Sequence, residues 1–383
     1  MINSDWGQKL KINAKNFVGW KTKRKIVVIS VDDYGNVRLH SREARDRMER
    51  EGLKVISPFK GFDMFDSLEN KFDLELLYDV LTSVKDSNGR HAILTPFAVP
   101  CNINFEKIIE TGFSKYHYEL LPDTYSKLSS QYPDEYEGAW NLWREGISNN
   151  ILKPQFHGRE HLNLKLFKEK LKREDHELVT ALKNRSYARI PSMEYTTIST
   201  SGAFEFWDFK ENSAFGEIIV DGLNAFERVF GYRATHFNPP GGREHPVIHK
   251  VLKENGIKFI DNFLIKKEHL GKGSYKTVFN YTGKQNKHRQ IYLVRNVVFE
   301  PTQKRGVVWT NYAMKQIEAA FRWNRPAIIS SHRVNFCGNI DVENRRVGLR
   351  ALQTLLKNIT KRWPEVEFMA ANELGALIES KQK

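Results

Sequence analysis

Three places along the chain carry side chains of a type and spacing that could do chemistry. Asp32 and Asp33 close the apolar run Ile26 to Val31, His157 and His161 follow the short extended segment 152–156, and His332 ends the run 327–331. Two imidazoles and one carboxylate with an open coordination position suit a divalent ion. Zn²⁺ fits such a set, and Co²⁺, Ni²⁺ or Fe²⁺ accept the same ligands. An ion of this kind lowers the pKa of water and polarises a carbonyl, which suits hydrolysis of an amide or ester. Adjacent side chains at a strand end point apart, so one of Asp32 and Asp33 can hold the metal while the other takes a proton, and His332 can protonate the leaving group. The His-x-x-x-His spacing alone is unspecific, and a second pair, His245 and His249, serves as an internal control. That pair lies on an ordinary amphipathic helical pattern, so His249 is expected to be a helix-face residue and nothing more.

The elements that must position these groups alternate in type. β-branched residues in an unbroken apolar run, as in 26–31, predict a strand buried on both faces. Further strands are expected over 91–99, 152–156, 232–237, 258–261, 290–299, 327–332 and 366–370. Helical spacing marks 41–51, with Gly52 as its stop, and 74–84, 136–149, 214–230, 246–255, 311–323, 347–362 and 373–379. Trp140 and Trp143 are read as core residues of their helix. Seven or eight strand-then-helix units predict an α/β chain folded as a complete or slightly broken (β/α) barrel, one domain over 26–383 behind an N-terminal extension, 1–25. Strand carboxyl ends then share one mouth, where Asp32, Asp33, His157, His161, Asn238, Asp261 and His332 meet. Pro96 is expected to confine useful pairing of the second strand to the residues before it. Segments 100–136 and 263–287 lack a period and are read as insertions, the first an excursion over the barrel rim and the second an exposed loop with little order.

Composition bounds the alternatives. The chain has 383 residues, 40% apolar and 28% charged, as in globular proteins, and no apolar run approaches the length of a membrane span. Residues 1–25 lack the apolar core of a signal peptide, so the chain reads as cytoplasmic. Two cysteines, Cys101 and Cys337, exclude a disulfide framework and a cysteine-based zinc site. A net charge of +14 invites a nucleic-acid or acidic-glycan partner, but the lysines and arginines are interspersed with acids and no nucleic-acid recognition motif is present. Oligomeric state is not readable.

The order of these segments resembles the polysaccharide deacetylase family, carbohydrate esterase family 4. The shared features are a strand ending in Asp-Asp, then His-x-x-x-His, an aromatic followed by x-Pro-Pro-x-Gly, a strand ending in Asp and a strand ending in His. The opening Val31-Asp-Asp-Tyr-Gly35 is also similar to that of diacetylchitobiose deacetylases in the same glycoside hydrolase/deacetylase superfamily. The resemblance covers roughly 26–370. It implies a distorted (β/α)7-type barrel and metal-dependent removal of N- or O-acetyl groups from sugars of an oligo- or polysaccharide. It makes Asp32 the general base, Asp33, His157 and His161 the metal ligands, and His332 the general acid with Asp261 as orienting partner. Backbone N–H near Gly241, in the turn that Pro239 opens, would stabilise the oxyanion. Two departures stand out. Asn238 replaces the arginine that braces the catalytic aspartate, leaving Arg159, Arg295 or Arg333 as candidates for that task. Ser330 replaces the leucine of the acetyl-methyl pocket. A silent glycan-binding or assembly protein on the same barrel is the alternative these departures allow.

Overall fold

The computed structural model describes residues 7, 10–56, 61–303 and 306–382; residues 1–6, 8 and 9 of the expected N-terminal extension lie outside the described residues. The strands in chain order are β1 (Lys25–Tyr34), β2 (Leu94–Ala98), β3 (Cys101–Ile103), β4 (Tyr118–Leu120), β5 (Gln155–Phe156), β6 (His236–Phe237) and β7 (Phe259–Asn262). They continue with β8 (Ile265–Gly271), β9 (Ser274–Phe279), β10 (Ile291–Val294), β11 (Val297–Val298), β12 (Ala327–His332) and β13 (Val366–Met369). Nine of them form one sheet in the order β10-β7-β6-β5-β2-β1-β12-β11, with β13 beside the start of β1. Every pairing within that sheet is parallel. The two end strands, β10 and β11, are consecutive pieces of chain separated by Arg295 and Asn296. Val294 and Val297 are therefore at most about 11 Å apart, and the sheet must curl until its ends meet. The result is a distorted (β/α) barrel whose seam is bridged covalently.

Strand alternation sorts the interior into layers. Ile26 and Val28 of β1 join Phe97, Phe259, Ile291, Leu293 and Ile328 in one buried cluster, while Val27, Ile29 and Val31 belong to the larger core under the helices. The C-terminal helix Ala371–Gln382 contributes Ala371, Leu374 and Ile378 to the inner cluster, so it plugs the amino-terminal end of the barrel. Its fit is close, since a Cβ on Gly375 would sit 2.5 Å from the Phe259 ring. Above this apolar layer the same inward parity brings up Asp32, His157, His236, Asp261 and His332. Asp32 and His332 are direct neighbours in the β1/β12 register.

Four local expectations are corrected. The segment 263–287 is not a disordered loop: β8 and β9 form an antiparallel hairpin. Its Lys, His and Gly residues read as loop, and its buried side chains Lys266 and His269 are three residues apart, so no clean two-residue alternation marks the strand. Segment 100–136 holds the β3/β4 hairpin and helices Phe105–Glu110 and Leu121–Gln131. The helix expected over 136–149 is broken at Gly138, whose φ of 80° is left-handed. Pro96 does not end the pairing of β2: Phe97 and Ala98 pair with β5. Pro96 falls beside the irregularity between Val31 and Tyr34, where the ladder is already interrupted.

The turn after β1 is held from behind. Gly35 has φ 74°, and a Cβ there would lie 2.7 Å from the Val99 carbonyl oxygen, so only glycine fits. Its N–H donates to Glu69 Oε1 at 3.1 Å, which also accepts from Tyr125 and Trp143. Arg333, fully buried, donates to Glu69 and to Asp66 at 2.9 Å. Removing one partner of such a network leaves uncompensated buried charge. Arg333→Met is expected to cost about 3–5 kcal/mol of stability in chemical denaturation; a change below about 1 kcal/mol would show that the two carboxylates are accommodated without it.

Candidate metal and catalytic site

Asp33 turns out of the strand. Its φ of 72° is left-handed, a cost on the order of 1 kcal/mol for a non-glycine residue, smallest for Asp and Asn. The turn aims its carboxylate at the loop after β5. There Oδ1 lies 3.5 Å from His157 Nε2 and 3.3 Å from His161 Nε2. Among the described residues these three form the one group of ligand atoms within 4.8 Å of one another that could hold a metal ion. The tetrahedral ligand atoms of an ion bound at about 2.0–2.1 Å stand roughly 3.3–3.4 Å apart, as these do.

The donors also suit an ion chemically. His157 Nδ1–H donates to the Asn238 carbonyl at 2.7 Å, which leaves the lone pair on Nε2, facing Asp33. Burial pushes the His161 pKa down to about 3, so that imidazole is neutral. Its Nδ1 is buried without a hydrogen-bond partner among the described residues. Burial works against ionised Asp33, but the imidazoles of His157, His161 and His332 around it hold its pKa well below the carboxylate range.

Asp32 points inward into a separate network. Arg295 donates to both its oxygens, Nη1 to Oδ2 at 2.8 Å and Nη2 to Oδ1 at 2.7 Å, and through Nε to Asp261 Oδ2 at 2.7 Å. Asn238 Nδ2 adds a hydrogen bond to Asp32 Oδ1 at 2.7 Å. Arg295 thus occupies the place open for a bracing arginine, lying over the Phe97 ring 5.0 Å from its centroid. Arg159 and Arg333 do not reach Asp32. Arg159 is turned away at Gly158 and pairs with Glu160 and Asp221, and Arg333 is the buried partner of Asp66 and Glu69.

Asp261 is not the partner of His332. It accepts from His236 Nε2 at 2.9 Å and from Arg295 Nε, because its strand neighbours are β6 and β10, while β10 and β11 stand between β7 and β12. The acid that meets His332 Nδ1, at 2.7 Å, is Glu300. The β11/β12 register pairs Val298 with Ser330, and two residues on Glu300 comes level with His332. Asn335 donates to the other Glu300 oxygen at 2.7 Å, and the Phe62 ring covers the imidazole at 4.6 Å. His332 Nε2, 4.0 Å from Asp32 Oδ2, belongs to a side chain 30% exposed. Burial lowers the His332 pKa, but Glu300 and then Asp33 and Asp32 outweigh it and hold it up at about 10. Ser330 Oγ lies 3.4 Å from Arg295 Nη1. Glu300, His236 and Phe62 were not singled out from sequence; for Glu300 the two-residue parity continuing from Val298 was the available signal. The control pair behaves differently from expectation: His249 is buried beside Glu244, 3.5 Å away, and not merely on a helix face.

Pro239 and Pro240 are buried and fix the turn after Asn238, while Gly241, with φ 70°, is exposed. Gly242 N–H donates to Pro239 O at 2.8 Å.

No protein-family model matches the chain, and no curated protein sequence matches it. Solved structures with a similar course of chain include a "probable polysaccharide deacetylase" from Pseudomonas aeruginosa PAO1, at 10% identity and TM-score 0.45 over 92% of this chain and 91% of that one. The Puue allantoinase is similar at 12% identity and TM-score 0.45 over 93% and 91%. The alpha-amylase AmyC of Thermotoga maritima is similar at 10% identity and TM-score 0.43 over 92% and 74%. Three such names do not select a reaction, so the chemistry rests on the side chains above. Among the described residues no helix is long and apolar enough to cross a membrane.

Elemental analysis of the purified protein is expected to find about one transition-metal ion per chain. A His157→Ala, His161→Ala variant should lose it with its circular dichroism unchanged; retention of the ion would place the site elsewhere.

Proposed function

We propose that the protein is a metal-dependent hydrolase that removes an acetyl group from an N- or O-acetylated sugar of an oligo- or polysaccharide. The observation that carries this reading is the separation of two acids into two environments. Asp33 faces two imidazole nitrogens at metal-ligand spacing, while Asp32, one residue earlier, is braced by Arg295 and Asn238 and lies beside His332 on the neighbouring strand.

Asp33, His157 and His161 would hold the ion. When bound, it supplies Lewis-acid polarisation of the acyl carbonyl and a lowered water pKa. Asp32 takes the proton of the attacking water. Arg295 and Asn238 fix the rotamer of that carboxylate, so proton transfer occurs in one geometry. As the tetrahedral oxyanion forms, the N–H of Gly241 contributes a backbone donor, since the prolines before it have none and Gly242 N–H is already bonded. His332, kept protonated by Glu300, gives its Nε2 proton to the departing amine or alcohol as the C–N or C–O bond breaks. Phe62 shields that imidazole from bulk water on one face.

The reaction is tested by acetate release from chitooligosaccharides and from O-acetylated xylan, with Asp32→Asn as the control. The variant should lose about 10²–10⁴-fold in kcat while retaining the metal. Full activity in Asp32→Asn removes it as the base, and glycan binding without acetate from any substrate favours a silent binding protein.

Glu300→Gln tests the acid. Without the carboxylate the His332 pKa falls, so the alkaline limb of kcat/KM should move to lower pH. The same variant should lose the stability that the raised pKa contributes, which is fully present below about pH 6.5 and fades as pH rises toward 10. An unmoved limb would show that His332 does not set it.

A further inference from the structure

Beside the catalytic mouth lies a groove of about 550 Å³ that the proposed chemistry touches only at Gly241. Its walls come from the loops after two adjacent strands, Gly241 to Arg243 after β6 and Phe263 after β7, and from the hairpin β8/β9 through Ile265, Lys267 and Tyr275. The groove adjoins the site along the chain: Gly241 is three residues past Asn238, within about 11 Å, and Phe263 is two past Asp261, within about 7 Å.

One face of the hairpin carries the cross-strand pairs Ile265 with Phe279, Lys267 with Thr277 and His269 with Tyr275; Ile265, Phe279 and Tyr275 are exposed there and His269 is buried. Ile265 is 62% exposed, Phe263 54% and Phe279 49%. Contiguous exposed apolar surface of this kind marks a binding surface more often than chance. The Phe263 ring is set against Gly242, where a Cβ would fall 2.2 Å from it, so the aromatic wall is seated on a position only glycine fills. Tyr275 is backed by the buried His269 ring at 4.9 Å. Held aromatic faces bind at low entropic cost.

The charged residues lining the groove are cations. Lys267 is exposed and its Nζ donates to Thr277 Oγ1 at 2.7 Å, and Arg243 reaches the groove while its Nη1 lies 3.4 Å from Glu205. Among the described residues no carboxylate lines the groove. An apolar aromatic floor flanked by cations complements a ring whose flat face is C–H and whose substituent is anionic.

We infer that this groove is the subsite for the sugars of a carboxylated, N-acetylated glycan next to the residue being deacetylated, a specificity that rests on the hydrolase reading above. Phe263 and Tyr275 carry the sugar faces, and Lys267 and Arg243 meet the carboxylates. The acetylated unit enters the barrel mouth while its neighbours run along the hairpin.

Binding, measured by calorimetry independently of turnover, separates this from the reaction itself. The probes are a hyaluronan oligosaccharide, which is N-acetylated and carboxylated, and chitohexaose, which is N-acetylated and neutral. The protein should prefer hyaluronan, and the preference should vanish between about 0.05 and about 0.5 M salt. Phe263→Ala with Tyr275→Ala should weaken both probes about tenfold or more, with the melting temperature unchanged because both side chains are on the surface. Lys267→Ala should weaken hyaluronan alone. Unchanged binding in the aromatic variant, equal affinity for the two probes, or binding of neither overturns the subsite, even if acetate is released. A concentration-dependent dimer that the aromatic variant abolishes also overturns it, since the face would then be a contact between copies. Binding as expected with no acetate release would leave the subsite standing and remove the hydrolase.

Discussion

A single guanidinium holds this structure's two halves in register. Arg295 sits where the sheet's end strands are joined by two residues, and it reaches across the barrel to Asp32 on β1 and sideways to Asp261 on β7. Three charges are thereby removed from water in one place, which is tolerable only because the hydrogen bonds are complete and the Phe97 ring lies beneath. The planar fork of arginine matches a carboxylate with two parallel bonds, a geometry that a lysine at the same place could not give. The arrangement of the mouth follows from that anchor, since the carboxylate it fixes is one residue from the carboxylate that turns away.

Asp32 and Asp33 differ because the backbone differs. Regular alternation would send residue 33 into the helix layer, but its left-handed φ swings it to the loop after β5 instead. Gly35, Glu69 and Arg333 hold that turn from the far side. Asn238 connects the two environments, its carbonyl fixing the tautomer of His157 and its amide holding Asp32. A short polar residue followed by two prolines is well suited to this, because the prolines stiffen the backbone from which both bonds are made.

The barrel was legible because buried parallel strands write themselves as β-branched runs; 327–332 coincides with β12, and 26–31 forms the heart of β1, which continues through the two acids to Tyr34. Strand ends then told which polar residues would gather, and the structure does bring together Asp32, Asp33, His157, His161, Asn238 and His332. Pairings across the mouth were not legible, because they depend on sheet order. Asp261 could be assigned to His332 on the strength of a resemblance, yet its neighbours in space are His236 and Arg295. Glu300 lay outside the expected strand and so escaped notice, although its parity with Val298 was there to read. The hairpin was missed for a different reason. A two-stranded ribbon outside the main sheet buries few positions, and here the buried side chains, Lys266 and His269, are three residues apart and of types that look like loop residues.

The main sheet, curled upon itself, leaves little backbone free for an outside strand. The β8/β9 ribbon, like β3/β4, lies outside it, and among the described residues β9 pairs with β8 alone. An open ladder edge beside exposed Ile265 and Phe279 is a place where chains can pair and aggregate, and Lys272 and Lys276, exposed on the ribbon, are the kind of charge that discourages it. The lysines of this hairpin therefore carry a second burden, keeping concentrated protein from polymerising through its own edge.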